Sequence, residues 1–182
     1  MTIEMLQNRL PDYARDIRLN LTTLIAEETL TAQQKWGTFY VTALATGQEQ
    51  VIQAMESESA KHLTPQALDA VRAAASIMAM NNVYYKFTGM MGEDYRTMPA
   101  KLRMSVIGNP GIEKADFELW SLAVSIINGC QYCVVSHEAK LVTSGISREQ
   151  IQTAVRIAAV VSAIAATLNG ENARRERIVE AA

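Results

Sequence analysis

The two cysteines of this chain lie close together and have a histidine near them. Two residues separate Cys130 from Cys133, and His137 comes four residues after Cys133. In a helix, these spacings place the side chains one turn apart on the same face. The unpaired N–H groups at the start of a helix favour an anion, which lowers the pKa of a thiol in the first turn. The pattern predicts a redox-active dithiol beside a base that can accept the Cys133 proton.

An acidic residue of the preceding helix is the fourth candidate. Eleven residues separate Glu118 from Cys130, and its neighbours in the sequence are mostly apolar. Glu118 therefore either faces water or is kept on a helix face next to the core. If it points at His137, directly or through a water molecule, it fixes the tautomer of the imidazole. The result would be a Cys–His–Glu unit that activates one thiol as a nucleophile, with the second thiol resolving its oxidised form.

Other interpretations of this cluster stay open. Cys130, Cys133, His137 and Glu118 together have the donor atoms for zinc, although structural zinc sites usually draw their ligands from two separated pairs. A dithiol of this kind can also exchange with the disulfide of another protein, with peroxide reduction incidental. A redox-sensing or zinc-stabilised helical module without enzymatic activity is a further alternative. The other histidine, His62, is expected to be exposed and inert.

The composition predicts an ordinary globular protein. The chain has 182 residues, of which 49% are hydrophobic and 20% are charged, so it can bury a full core. Its formal net charge of −2 argues against a nucleic-acid partner. No signal peptide is visible, and the longest apolar run, at 157–161, is interrupted by Ser162, which argues against a membrane span. Two thiols this close cannot staple a secreted scaffold, which favours a cytoplasmic location.

Helix start and stop signals recur along the chain, whereas strand signals are almost absent. The sequence therefore predicts an all-α fold with a single helical domain over residues 1–182. The signals are a Pro11-led helical pattern through Ile25, a capping box of Thr31 with Gln34, an N-cap Thr64 with Pro65, a stop at Asn128-Gly129 and at Gly145, and a capping box of Ser147 with Gln150.

A weak internal repeat is also predicted. Shifting the sequence by about 83 residues aligns cap positions and apolar positions without a gap. The approximate halves are 1–88 and 110–182, joined by an irregular connection with one short helix from Ala100 to Val106. Only the second half carries chemistry, because the shift places Glu118, Cys130, Cys133 and His137 over Lys35, Gly47, Gln50 and Ala54.

Taken together, the residues resemble the alkylhydroperoxidase AhpD family. The likeness runs from near Met1 to about Leu168, and it combines the spacing of Glu118, Cys130, Cys133 and His137 with several surrounding segments. These segments are Met80-Asn81-Asn82-Val83, Leu102-Arg103-Met104, Asn109-Pro110-Gly111-Ile112, Phe117-Glu118-Leu119-Trp120-Ser121 and Ile127-Asn128-Gly129-Cys130.

The resemblance implies a fold, an activity and partners. The fold would be the duplicated helical fold of carboxymuconolactone decarboxylases, assembled as a homotrimer. The activity would be thiol-dependent reduction of organic hydroperoxides and regeneration of the peroxiredoxin AhpC. Electrons would come from dihydrolipoamide on a lipoylated carrier protein, with no bound cofactor or metal. Cys133 would become the sulfenic acid, Cys130 would donate a proton and close the Cys130–Cys133 disulfide, and Glu118 and His137 would relay protons.

Two details of the site need separate arguments. Some family members have a histidine at the position of Tyr132, and a tyrosine with an ordinary pKa near 10 is a poor base, although it can donate a hydrogen bond. The helix dipole favours Cys130 as the nucleophile, whereas His137 favours Cys133. A dipole effect of about 0.3–1 kcal/mol changes a pKa by less than one unit, so Cys133 is the predicted nucleophile.

Overall fold

Helices account for all the regular secondary structure in the computed structural model, which describes residues 1–180. This confirms the all-α prediction. The elements are α1 (Ile3–Asn8), a 3-10 turn (Asp12–Ala14), α2 (Arg15–Ala26), α3 (Ala32–Thr46), α4 (Glu49–Ser59), α5 (Pro65–Met90), α6 (Glu93–Thr97), α7 (Ser105–Gly108), α8 (Lys114–Ile127), α9 (Gln131–Thr143) and α10 (Arg148–Glu180).

The predicted capping signals lie at the helix ends. Thr31 and Gln34 form a reciprocal capping box at the start of α3, and the Thr64 side chain accepts a hydrogen bond from the Ala67 N–H in front of α5. At α10, the Gln150 N–H donates to Ser147 Oγ over 3.1 Å. Each side chain supplies an acceptor that a free helix start otherwise lacks. Local sequence therefore determines where these three helices begin.

The connection between the halves differs from its prediction. One helix from Ala100 to Val106 was expected, but this is wrong, because two shorter helices, α6 and α7, lie at either side of a non-helical stretch. Pro99 favours an extended conformation in the residue before it, and Met98 adopts it. Lys101 has a φ of 51°, which is left-handed and interrupts a right-handed helix.

The core lies where α3, α5, α8 and α10 pack against one another. A single cluster of buried apolar residues includes side chains from both halves of the chain. At its centre Trp120 of α8 lies against Gly37 of α3, and the indole Nε1–H donates to the Gln34 carbonyl over 3.3 Å. A Cβ atom on Gly37 would be 2.1 Å from the Trp120 ring. This close approach determines how far α8, which carries Glu118, stands from α3.

The helix order repeats at the predicted shift. Helices α3, α4 and α5 begin at positions 32, 49 and 65, and α8, α9 and α10 begin at 114, 131 and 148. Gln48 caps α4 with a side-chain acceptor, as Cys130 caps α9. By cap position, Cys130 therefore corresponds to Gln48. The uniform shift of about 83 residues instead pairs Cys130 with Gly47, which is one residue away.

Within residues 1–180, α10 is the helix that is long and apolar enough to cross a membrane by length and composition alone. More than half of its apolar stretch is buried inside the protein. The core helix of a globular protein has the same combination of length, hydropathy and burial. The contacts of α10 with α2, α3 and α8 account for its apolar character.

Candidate active site

The turn between α8 and α9 positions the two cysteines. Helix α8 ends at Ile127, and Gly129 continues the chain with a φ of 63°, which a glycine adopts without a steric penalty. Cys130 then caps α9, with its Sγ accepting a hydrogen bond from the Cys133 N–H over 3.3 Å. The structure confirms the helix stop that the sequence predicted at Asn128-Gly129.

Helix α5 holds this turn from outside. The Asn128 side chain donates to Asn82 Oδ1 over 2.9 Å, and Asn82 donates to Ser125 Oγ over 2.8 Å. Lys86 Nζ donates to the Asn128 carbonyl. Asn82 and Lys86 were not predicted from the sequence as supports of this turn. The available signal was a pair of asparagines inside a long helix, where asparagine is a poor helix former.

The two cysteines form a disulfide in this structure and differ in exposure. Their Cα atoms are 5.3 Å apart, a normal separation for a bonded pair. Cys130 is fully buried, whereas Cys133 is 5% exposed and lines a cavity. A small molecule can therefore reach Cys133 more directly than Cys130.

Glu118 points at His137 rather than at water. Its Oε2 is 2.5 Å from His137 Nδ1, and Lys140 Nζ donates to its Oε1 over 3.0 Å. The side chains of Glu118 and His137 are 13% and 8% exposed. Lys140 was not predicted, although it lies three residues after His137 and so on the same face of α9. The structure thus brings the carboxylate, the imidazole and an ammonium group together.

Two opposing influences set the pKa of the Glu118 carboxyl. Burial raises this pKa, and the hydrogen bonds from His137 and Lys140 lower it. Their combined effect is larger than that of burial, so the pKa lies below its ordinary value. Glu118 is therefore ionised at neutral pH and accepts hydrogen bonds only. It follows that Nδ1 of His137 carries a hydrogen and donates a hydrogen bond to Glu118.

The lowered pKa of Glu118 predicts that the stability of the fold depends on pH. A carboxyl whose pKa is lower in the folded than in the unfolded chain stabilises the fold above its ordinary value of 4.5, and this contribution is lost as the pH falls through the folded pKa. We expect Glu118→Gln to lower the free energy of unfolding by about 1–3 kcal/mol at pH 7. The difference between the variant and the wild type should shrink as the pH falls below about 4.5, as urea titrations can measure. A difference in unfolding free energy that stays the same at every pH would contradict this prediction.

The cavity at Cys133 has a volume of about 220 Å³. It lies between α5, α9 and the connection that contains α7. Most of its wall is apolar or aromatic, while Cys133 and His137 contribute a sulfur atom and an imidazole ring. The lining residues are Met78, Asn81, Tyr85, Met104, Ile107, Tyr132, Cys133, Ser136, His137 and Lys140.

Tyr132 separates this cavity from a second one. Its ring lies 5.8 Å from that of Tyr85 in a stacked arrangement, and 48% of the residue is exposed. The second cavity has a volume of about 400 Å³ and is lined by Tyr132 together with Lys86, Arg96 and Val135, among others. Tyr132 therefore forms a wall next to the dithiol, and its hydroxyl makes no hydrogen bond with residues 1–180.

The remaining histidine lies away from this site. His62 is exposed, as predicted, and its ring stacks on Trp36 with 4.6 Å between the ring centroids. Among the residues whose side chains the structure describes, no group of three or more His, Cys, Asp or Glu is arranged to hold a metal ion.

Comparison with known proteins places this chain in a class of proteins. Residues 93–176 match the model of the carboxymuconolactone decarboxylase family. The chain is 55% identical over 169 residues to the alkyl hydroperoxide reductase AhpD of Rhodopseudomonas palustris strain BisA53, covering 92% of this chain and 93% of the relative. It is 56% identical over 170 residues to the protein of the same name from Gluconacetobacter diazotrophicus, covering 93% and 94%. The chain belongs to the alkyl hydroperoxide reductase AhpD family.

Proposed function

We propose that this protein is a cytoplasmic, thiol-dependent peroxidase that reduces alkyl hydroperoxides. It would cycle between a Cys130–Cys133 dithiol and the disulfide of the present structure. The observation that carries the proposal is that Cys133 and His137 line one cavity while Glu118 holds His137 from behind. The relatives at about 55% identity are named for the same reaction. A dithiol, a base and an orienting carboxylate are the parts that such a reaction requires.

The first step would generate the nucleophile. Glu118 accepts a hydrogen bond from the Nδ1–H of His137, which leaves Nε2 as the ring nitrogen that can take a proton. His137 takes the Cys133 proton through Nε2, and the resulting imidazolium is stabilised by the Glu118 carboxylate. Lys140 keeps that carboxylate ionised and fixed in place. Cys133 is then present as a thiolate, the form that attacks a peroxide, near neutral pH.

The second step would consume the peroxide. The Cys133 thiolate attacks the terminal oxygen of the hydroperoxide, so an S–O bond forms and the O–O bond breaks. The departing alkoxide takes a proton from the Cys130 thiol and leaves as an alcohol. Cys133 is now a sulfenic acid. The Cys130 thiolate attacks this sulfur, and the hydroxide that leaves takes a proton from His137 to form water.

The third step would restore the dithiol. One thiolate of dihydrolipoamide attacks the disulfide, and its second thiol then closes the lipoamide ring by the same exchange. Cys133 is the better target, because it is the sulfur that reaches the cavity. Two electrons pass from dihydrolipoamide to the hydroperoxide in each cycle. No bound cofactor or metal takes part in this sequence of steps.

The proposed activity depends on other proteins. A lipoylated carrier protein would deliver the dihydrolipoamide, the peroxiredoxin AhpC would be regenerated by the dithiol, and the chain would assemble as a homotrimer. The surface next to the dithiol supports an exchange with other proteins. The apolar side chains of Tyr132, Val135 and Met90 are exposed there. Together with Lys86 and Arg96, these residues line the larger of the two cavities, the one of about 400 Å³. Exposed apolar groups with a charged rim are typical of interaction sites.

The test is the loss of cumene hydroperoxide with dihydrolipoamide as the reductant. We expect the wild type to turn over, and to do so without added AhpC. Turnover only when AhpC is present would show instead that the dithiol serves the disulfide of another protein. No turnover by reduced, metal-free protein would reject the peroxidase function and leave a sensor or binding module.

Variants of the proton relay should slow this reaction rather than abolish it. General bases typically contribute about 100-fold to 10,000-fold, so we expect His137→Gln to lower kcat/KM within that range. Glu118→Gln should have a smaller effect, because an amide oxygen can still accept from Nδ1. Both variants should change the pH profile of kcat/KM. A rate equal to that of the wild type at every pH would exclude the relay.

A further inference from the structure

Asn81 is a buried polar residue that the steps above do not use. It is 4% exposed and lines the cavity that contains Cys133 and His137. Its Oδ1 is buried and accepts no hydrogen bond within residues 1–180. Burying a carboxamide oxygen without a donor costs free energy of folding. A group kept at this cost in a reactive cavity points to a ligand.

The neighbouring residue shows what a structural asparagine does in the same helix. Asn82 is 1% exposed, and its amide exchanges hydrogen bonds with Ser125 and Asn128. Both residues lie in α5, but they face different sides of it. Asn81 lies on the face with Met78 and Tyr85, at the spacing of three and four residues that lines one side of a helix. One asparagine thus supports the fold, and the other faces the reactive cavity.

We propose that the Asn81 carboxamide binds the oxygen atoms of the hydroperoxide substrate, an inference that rests on the proposed peroxidase function. A hydroperoxide has an O–H donor on its terminal oxygen and an acceptor on the adjacent oxygen. A carboxamide offers an acceptor and a donor side by side, and rotation of the amide exchanges their places. The two groups can therefore pair at two points. Binding the terminal O–H there holds the oxygen that the Cys133 thiolate attacks.

The rest of the cavity restricts the organic part of the substrate. Apart from Asn81 and the reactive side chains, its wall includes Met78, Tyr85, Met104 and Ile107. Its volume of about 220 Å³ is smaller than the roughly 300–1,000 Å³ of sites that bind drug-sized ligands. The geometry therefore favours a hydroperoxide with a compact apolar group. A dialkyl peroxide lacks the O–H donor and would lose one of the two hydrogen bonds.

The experiment replaces Asn81 with leucine, which has nearly the same shape and no polar atom. We expect kcat/KM for tert-butyl hydroperoxide to fall by about tenfold to 100-fold, because leucine removes both hydrogen bonds and one such bond produces a change of up to about tenfold. The reaction of the reduced thiols with 4,4′-dithiodipyridine, which has no O–H group, should stay close to the wild-type rate. The Tm should rise by about 2–4 °C, because an unpaired buried polar group is removed.

Asn82→Leu is the matched control, and its Tm should fall, because its partners Ser125 and Asn128 are left unpaired. An Asn81→Leu variant with the wild-type kcat/KM would overturn the assignment while the peroxidase function stands. A fall in Tm like that of Asn82→Leu would show that Asn81 is structural, and would also overturn it. If the wild-type protein consumes no hydroperoxide, the proposed function is rejected, and the assignment of Asn81 is rejected with it. This outcome is seen before any variant is compared.

Discussion

Cys133→Ser is expected to abolish the turnover of hydroperoxide with dihydrolipoamide, lowering kcat/KM by at least about 1,000-fold. A serine hydroxyl is not ionised by His137 at neutral pH, and it cannot form a sulfenic acid or a disulfide. The remaining thiol, Cys130, is fully buried. It therefore cannot replace Cys133 as the group that meets the peroxide in the cavity.

Cys130→Ser should give a different defect, which separates the roles of the two thiols. Steady-state turnover should also be lost, because no resolving thiol is left. Cys133 should nevertheless react once with hydroperoxide and remain as the sulfenic acid. Mass spectrometry after dimedone treatment should detect one adduct at Cys133 in this variant and none in Cys133→Ser. The reverse distribution of the adduct would identify Cys130 as the nucleophile and contradict the proposed mechanism.

Gly37→Ala should destabilise the protein more than any other alanine substitution of a glycine. The added Cβ would be 2.1 Å from two carbon atoms of the Trp120 ring, inside a core that holds this indole without any exposure. The ring cannot move aside freely, because its Nε1–H donates to the Gln34 carbonyl. We expect a loss of at least about 3 kcal/mol in the free energy of unfolding, measured by urea titration.

Two further variants test the cause of this loss. Gly170→Ala adds the same methyl group inside α10, where no atom lies within 4 Å, and it should stabilise the protein by about 0.5–1 kcal/mol. If the clash with Trp120 is responsible, Gly37→Ala should cost much less in a Trp120→Leu background, as a double-mutant cycle can show. An equal cost in both backgrounds would assign the effect to the α3 backbone instead.

The sequence determined those features that depend on residues within one helical turn of one another. The starts of α3, α5 and α10 follow from caps that act over three residues, such as Thr31 with Gln34. The grouping of Cys130, Cys133 and His137 follows from the spacing of a single helix, α9. The correspondence of the two halves was visible from the same local signals, because the caps recur at a nearly constant distance.

The short connection shows the limit of such signals. Its helices are of five and four residues, and so short a helix gains little from its own hydrogen bonds. Their bounds therefore depend on the packing of the surrounding chain and on the backbone at Lys101. The sequence indicated an irregular region correctly but placed its helix wrongly.

Only the tertiary structure decided which groups meet across helices. Glu118 had two possible directions in the sequence, and the packing of α8 against α9 turns it to His137 and Lys140. The exposure of Cys133, the burial of Cys130 and the unpaired amide of Asn81 also depend on how α5, α8 and α9 lie together. Spacing along one helix fixes neighbours within a turn, whereas contacts between helices depend on how all the side chains between them pack.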